Sequence, residues 1–129
     1  MFSDSDASLG VIMKASLSVL FVLLAFALTP AVAQTMSAAD AKNHVGEKTT
    51  VCGKAASERT ATSSRGEPTF INLDAAYPNQ VFTILIWGDD RKNLGTLPTV
   101  GSRVCATGTI QEYRGVPEIV VRNSGQLSR

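Results

Sequence analysis

Two similar segments contain the only two cysteines of this chain: Val51-Cys52-Gly53-Lys54 and Val104-Cys105-Ala106-Thr107-Gly108. Each segment alternates small or apolar residues with polar ones, which is the pattern of a β-strand with one buried face. The alternation puts both cysteines on the outer face of their strands. Two antiparallel neighbouring strands would bring such cysteines close enough to bond. We therefore predict a Cys52–Cys105 disulfide between adjacent antiparallel strands.

The first 33 residues have the features of an export signal. Lys14 precedes an apolar run of 12 residues, 17–28, and Ala31-Val32-Ala33 has the small-x-small pattern of a cleavage site. The run is shorter than the about 20 residues that span a bilayer, so we disfavour the alternative of an uncleaved anchor. We expect residues 1–33 to be a signal peptide, with Gln34 first in the mature chain and no stable membrane anchor after cleavage.

The start residue and the destination of the protein each have two alternatives. Asp4 and Asp6 are unusual in the N-terminal region of a signal peptide, so either Met1 or Met13 is the true start. The destination is either the periplasm or the extracellular medium. Both compartments keep disulfides oxidised. Closing a loop of 53 positions between the cysteines gives roughly 4 kcal/mol of stability in the chain-entropy model.

Charge and histidine content limit the function classes. Residues 34–129 hold eleven Lys and Arg and nine Asp and Glu, and a net charge of +2 neither requires nor excludes a polyanionic partner. His44 is the only histidine, and zinc normally takes four ligands, so we expect no metal site. The sequence around His44 shows no serine or cysteine catalytic arrangement, and no nuclease-like acidic set occurs. We therefore expect neither an enzyme nor a cofactor.

The remaining sequence predicts a short helix and five strands. Within the segment 34–47, Ser37 is a suitable N-cap and Gly46 a stop for a helix over Met36–Val45. From residue 48 on, β-branched and aromatic runs alternate with turn residues. The strands are predicted over 48–57, 69–73, 81–87, 103–111 and 117–122, with a helical turn from Asp90 to Leu94.

These elements favour an all-β domain over residues 48–129. Gly53 and Gly108 lie inside predicted strands, where glycine permits the bend that barrel closure requires. An open sandwich is the alternative. We predict a five-stranded Greek-key barrel in which the first and fourth strands are antiparallel neighbours, as the cysteine pairing requires.

Four motifs resemble those of the oligonucleotide/oligosaccharide-binding (OB) fold. The segment Gly46–Leu127 is similar to OB-fold modules of nucleic-acid proteins, including the anticodon-binding domains of class II aminoacyl-tRNA synthetases, and to small exported bacterial OB-fold proteins. The synthetases have an acidic, arginine-bearing turn where this chain has Asp74-Ala75-Ala76-Tyr77, so anticodon reading is not implied. The motifs are Val51-Cys52-Gly53-Lys54, Pro68-Thr69-Phe70-Ile71-Asn72-Leu73, Gly101-x-x-Val104-x-Ala106-x-Gly108-x-Ile110 and Tyr113-Arg114-Gly115-x-Pro117-Glu118-Ile119.

The resemblance also implies where a ligand binds. OB folds bind ligands on the exposed face of the second and third strands and between two flanking loops. Phe70 takes the position of a base-stacking side chain, although a place in the core is its ordinary alternative. Trp87 is a candidate for ligand contact, with covering a barrel end as its alternative. Glu118 is expected to tie the fifth strand to a neighbouring loop through hydrogen bonds. The predicted ligand-binding residues are Lys54, Arg59, Arg65, Phe70, Asn72, Trp87, Tyr113 and Arg114.

We therefore expect a non-enzymatic exported binding module. Its first candidate ligand is single-stranded nucleic acid or another extended polymer, because the fold resemblance offers an aromatic platform with basic residues around it. The rival interpretation is a structural or protein-interaction barrel of the cell envelope, with envelope proteins as partners. A binder of oligosaccharide or of a small cationic ligand is a further alternative.

Overall fold

A computed structural model describes residues 27–28 and 34–129. The chain divides into two units, Met1–Ala31 and Val32–Arg129, and the strands of the described residues all lie in the second. Apart from residues 27–28, the predicted signal peptide, its cleavage site and the alternative start Met13 lie outside the described residues. Among the residues that are described, no helix has the length and apolar character needed to span a membrane.

The described residues are mostly β-sheet, so the predicted all-β class is confirmed. Their β-branched and aromatic runs form strands, and their Gly, Pro and Asn clusters form the connections. The strands are β1 Thr35–Ser37, β2 Lys48–Thr60, β3 Thr69–Leu73, β4 Phe82–Ile86, β5 Arg103–Thr109, β6 Gln111–Tyr113, β7 Val116–Val120 and β8 Leu127–Ser128. Three short 3₁₀ segments span Ala41–Asn43, Gly88–Asn93 and Ser124–Gln126.

One sheet contains all of these strands, in the order β6-β7-β4-β3-β2-β5-β8, with β1 parallel beside β2. Strands β4 and β7 are parallel, and the other neighbours in this order are antiparallel. The predicted antiparallel pairing of the two cysteine strands is confirmed by the ladder between β2 and β5. Residues 48–54 of β2 pair with β5 and residues 55–60 pair with β3, with a β-bulge between Ala55 and Ser57 near the change of partner.

The predicted closed barrel of five strands is wrong. In the described part of the chain the sheet has eight strands, and its order is open because β6 and β8 at its ends do not pair. The predicted fourth strand divides at Ile110 into β5 and β6. The N–H of Ile110 donates to Glu47 O at 2.9 Å, and its carbonyl accepts from Gly46 N at 2.7 Å. These bonds to the segment before β2 take the backbone groups that a continuous strand would use.

The predicted helix over Met36–Val45 is also wrong. Met36 lies in β1 opposite Val51, and only one 3₁₀ turn, Ala41–Asn43, follows. Strand pairing with β2 satisfies this backbone, and it continues past β1, where Ala38 N donates to Cys52 O at 3.1 Å. The second helical turn, predicted over residues 90–94, occurs as the 3₁₀ segment Gly88–Asn93.

The core lies on the inner face of the sheet. Its glycines serve close packing: a Cβ at Gly53 would be 2.9 Å from Asp74 Oδ1, and one at Gly108 would be 2.8 Å from Ile119 Cγ2. The sequence predicts a bending role for these glycines, and the structure adds that a side chain at either position would require its neighbours to shift. The largest fully buried side chains are Val51, Ile71, Leu73, Phe82, Ile84, Ile86, Val104, Ile110, Ile119 and Val121.

The predicted disulfide joins Cys52 to Cys105, which are direct partners in the ladder with Cα atoms 4.0 Å apart. Both cysteines lie on the face opposite Val51 and Val104, as the alternation predicts. They are only 8% and 6% exposed, however, so this side of the ladder is not the open polar face that the sequence predicts. One reason is Arg103, whose Nη1 lies 3.4 Å from Cys105 Sγ and covers it.

Candidate functional site

The candidate site is the face of the sheet that points away from the core across β2, β3, β4, β7 and β6. We call it the outer face. In β3 the inner residues Ile71 and Leu73 alternate with Phe70 and Asn72, which lie on the outer face. Strand β4 alternates in the same way and places Thr83 on the outer face. Every second residue of each strand therefore lies on the outer face, and the residues that lie opposite one another on neighbouring strands form rows across it.

One of these rows is polar and crosses all five strands. Cross-strand pairing places Ser57 opposite Asn72, Asn72 opposite Thr83, Thr83 opposite Glu118 and Glu118 opposite Gln111. Strands about 4.8 Å apart make this row roughly 19 Å long. We call these five residues the polar row.

Hydrogen bonds between neighbouring side chains fix the polar row. Asn72 Nδ2 donates to Ser57 Oγ at 3.0 Å, and Thr83 Oγ1 donates to Asn72 Oδ1 at 3.0 Å. On the far side, Gln111 Nε2 donates to Glu118 Oε1 at 2.7 Å. Asn72, Thr83 and Glu118 are buried, and buried polar groups require such partners. Asn72, predicted as a ligand-binding residue, thus uses both ends of its amide inside the row.

Glu118 is the charged member of the polar row. Burial raises the pKa of its carboxyl above the ordinary value, and the hydrogen bond from Gln111 partly offsets this. The predicted hydrogen-bonding role of Glu118 is confirmed, but its partner lies in strand β6 and not in a loop. The row therefore contains, between Thr83 and Gln111, a carboxylate whose ionised form is costly.

An aromatic group lies next to the polar row, toward the loop between β2 and β3. Phe70 is half-buried and lies opposite Leu85 of β4. Trp87 follows Leu85 by two residues in extended backbone, so it shares the outer face and lies diagonal to Phe70. Trp87 is 40% exposed. We call Phe70, Leu85 and Trp87 the aromatic patch.

Three exposed arginines flank the aromatic patch. Arg59 lies opposite Phe70 in the β2–β3 ladder. Arg65 is exposed in the loop of residues 61–68. Arg122 follows Val120 by two residues, and Val120 lies opposite Leu85. The sequence predicts two of these arginines as ligand-binding residues but misses Arg122, because only the parallel pairing of β4 with β7 brings it to this face.

The loop that carries Arg65 is held against the segment after β4. A Cβ at Gly66 would be 3.0 Å from Trp87 Cε3, so the indole ring lies directly on this glycine. Gly88 N donates to Gly66 O at 2.8 Å. Trp87 therefore has a structural role in fixing the loop as well as an exposed ring.

Arg91 provides a further contact to the same loop. Its Nη1 donates to the Glu67 carbonyl and, at 3.0 Å, to Thr69 Oγ1. The sequence indicates only a helical turn from Asp90 to Leu94. No local pattern indicates this contact, because it depends on how a loop 24 positions away is folded.

Tyr113 and Arg114 lie at the opposite corner of the outer face. Tyr113 ends strand β6, so its predicted place in a loop is wrong. Arg114 and Gly115, with φ of 50° and 81°, form a two-residue turn to β7. The Arg114 guanidinium carbon lies 5.2 Å from the centroid of the Tyr113 ring. Strands β4 and β7 separate these residues from Phe70.

Lys54 lies away from the polar row and the aromatic patch. It precedes the bulge of β2, is exposed, and lies opposite Arg103 in the ladder with β5. It lies five positions before Arg59 in the strand, which puts the two Cα atoms about 16 Å apart. Together with Arg103 it lines a groove of about 500 Å³ beside Cys52. The structure thus does not bring Lys54 together with the other predicted ligand-binding residues.

Within the described ranges, no group of three or more His, Cys, Asp or Glu side chains could hold a metal ion. The single histidine, His44, has its Nδ1 2.8 Å from Glu47 Oε2 at the surface.

Comparisons with known proteins give likenesses among solved structures. No protein-family model matches the chain, and no curated protein matches it. Among solved structures, it is similar to a protein assigned as an aspartyl-tRNA synthetase from Leishmania major Friedlin, with 10% sequence identity and a TM-score of 0.52. The likeness covers 78% of this chain and 21% of the other, so this chain spans about a fifth of that protein. At such identity the likeness concerns the fold alone.

Proposed function

We propose that this protein is a non-enzymatic, exported binding module whose outer face binds single-stranded nucleic acid. The observation that carries the proposal is the aromatic patch, in which Phe70 and Trp87 stay accessible beside three arginines. Bases stack on aromatic rings, and arginines neutralise the phosphates between them. A sheet face with both features can bind the bases of a single strand through its rings and the phosphates through its arginines.

An OB-like arrangement of the sheet belongs to this proposal, without the closed barrel. It is supported by the parallel pair β4 and β7 and by strand β2, which pairs with β3 through one half and with β5 through the other. The similar solved structure carries the name of a tRNA synthetase, which agrees with a nucleic-acid ligand. In OB folds this face is the usual binding surface.

Export to the periplasm or the medium is also part of the proposal. The cross-link between Cys52 and Cys105 is compatible with an oxidising compartment, and the sequence begins with signal-like features. Intact mass of protein recovered from the envelope, measured after alkylation without reductant, tests this. Two alkylated thiols would contradict it.

A fluorescent oligonucleotide titrated with the full-length protein at several salt concentrations tests the binding. We expect saturable binding that weakens with salt, and Phe70→Ala to weaken it by about 1–3 kcal/mol, the usual stacking energy per base. Arg65→Ala should weaken binding and reduce its dependence on salt.

Two matched variants serve as controls. Tyr77→Ala removes an aromatic ring that is 73% exposed but lies in the loop between β3 and β4. Lys54→Ala removes a cation that lies beside Cys52. Both should leave the affinity unchanged. Absence of saturable binding at low salt would refute the proposal and favour a protein-interaction barrel or a binder of oligosaccharide.

A further inference from the structure

We propose that Glu118 makes the outer face selective for bases that carry an exocyclic amino group. This inference rests on the proposed function and adds a specificity to it. It follows from the position of Glu118 relative to Phe70, from the hydrogen-bonding capacity of the polar row, and from the distribution of charge on the outer face.

Glu118 lies on the same face as the aromatic patch but beyond the reach of a base stacked on Phe70. Two strand spacings and one step of two residues separate it from Phe70, which amounts to roughly 12 Å between Cα atoms. A base stacked on Phe70 is therefore too distant for a direct bond to Glu118. A second base further along the same strand would lie over Thr83 and Glu118.

At Thr83 and Glu118 the polar row offers such a base acceptors. Thr83 has a single hydroxyl hydrogen, which it donates to Asn72. Asn72 and Gln111 each donate one amide hydrogen within the row. An ionised carboxylate accepts only, and among the described hydrogen bonds one oxygen of Glu118 accepts from Gln111. The second carboxylate oxygen and the lone pairs of Thr83 are left for a ligand that donates.

The charges on the outer face orient the strand. Phosphates are attracted to Arg59, Arg65 and Arg122 at the patch and are repelled by the carboxylate of Glu118. The backbone of the ligand therefore follows the arginines, and the base edges point at the polar row. At the exocyclic position of this edge, cytosine and adenine carry an amino donor where thymine carries a carbonyl acceptor.

Oligo-dC and oligo-dT of equal length provide the test, because they share the backbone and the pyrimidine ring. Fluorescence anisotropy of the full-length protein at pH 8 should show oligo-dC bound about tenfold more tightly, as expected for a single base-edge contact. Glu118→Gln should reduce this preference below about twofold by weakening the binding of oligo-dC, while oligo-dT binds at least as tightly as before because a charge that repels phosphates is removed. The variant retains a carbonyl oxygen for Gln111.

Glu112→Gln is the matched control, since it removes the same charge from a neighbouring position whose side chain alternates away from the polar row. It should keep the preference. Equal affinity of the unchanged protein for both oligonucleotides, or a preference that survives Glu118→Gln, would overturn the inference and leave the proposed function intact. Binding of neither would overturn both. The comparison in the unchanged protein is decisive even if Glu118→Gln does not fold.

Discussion

The two halves of strand β2 differ in what they contribute. The half before the bulge, from Lys48 to Lys54, pairs with β5 and β1 and is cross-linked through Cys52. The other half, from Ala55 to Thr60, contains the bulge, pairs with β3 and brings Ser57 and Arg59 to the outer face. One strand thus combines a cross-linked segment with a segment of the candidate binding site. We expect changes in the first half to affect stability and changes around the second to affect binding.

The largest effect is expected from removing the cross-link. The double substitution Cys52→Ala with Cys105→Ala should lower the free energy of unfolding by roughly 4 kcal/mol, because a long loop is no longer closed in the unfolded chain. Urea denaturation measures this. The affinity for an oligonucleotide, measured where the variant is still folded, should stay within about twofold. A parallel loss of affinity would contradict the division between the halves.

A smaller loss of stability is expected from Gly53→Ala. The new methyl group would lie 2.9 Å from Asp74 Oδ1 and 3.2 Å from the side chain of Leu73, so the strands must shift. Overpacking of this kind costs about 1–3 kcal/mol. Lys48→Ala, an exposed change in the same strand, should alter the midpoint of urea denaturation little.

Much of the first half could be predicted from sequence alone. The pairing of the two cysteine strands follows from two observations. The alternation puts Cys52 and Cys105 on the same face, and the expected disulfide requires the strands to be neighbours. The alternation in residues 69–73 likewise places Phe70 on the outer face. These predictions succeed because they depend on a period of two within a few residues.

Other features depend on contacts between distant segments and could not be predicted. Ile110 interrupts its strand because its backbone bonds to Gly46 and Glu47. Met36 joins the sheet because β2 offers it a parallel partner, which overrides a local helix signal. Arg91 and Arg122 reach the site through a loop contact and a parallel ladder. In each case the decisive partner lies far away in sequence.

Arg91→Ala should weaken binding by several-fold, because it removes the hydrogen bonds that Arg91 donates to Glu67 and Thr69 and that hold the loop with Arg65. The effect should be much smaller in an Arg65→Ala background, since the loop then no longer presents its cation. Limited trypsin digestion should cut faster after Arg65 in the single variant. Lys92→Ala, an exposed neighbour, is the control. Equal losses in both backgrounds would show that Arg91 does not act through Arg65.

The smallest effect concerns the pH dependence of stability. Because the pKa of Glu118 is raised above 4.5 in the folded protein, the folded state binds its proton more tightly than the unfolded state. Its contribution to stability is fully present below that value and is lost as pH rises through the folded pKa. Glu118→Gln should therefore become more stable, relative to the unchanged protein, as pH increases across this window.

Urea denaturation at a series of pH values measures this difference. Glu112→Gln reports how much any loss of negative charge matters. If the stability of Glu118→Gln followed the same pH dependence as the unchanged protein, burial of the carboxyl would have no consequence for folding.

The disulfide also determines how tension would pass through the molecule. Strand β1, near residue 34, pairs with β2, and β8, at the end of the chain, pairs with β5. A pull applied at these two positions would peel off β1 and β8 and then reach the covalent bond between Cys52 and Cys105. Residues 53–104 lie outside this path. The aromatic patch would therefore be shielded from the force, whereas the β6–β7 hairpin with Glu118 would carry it.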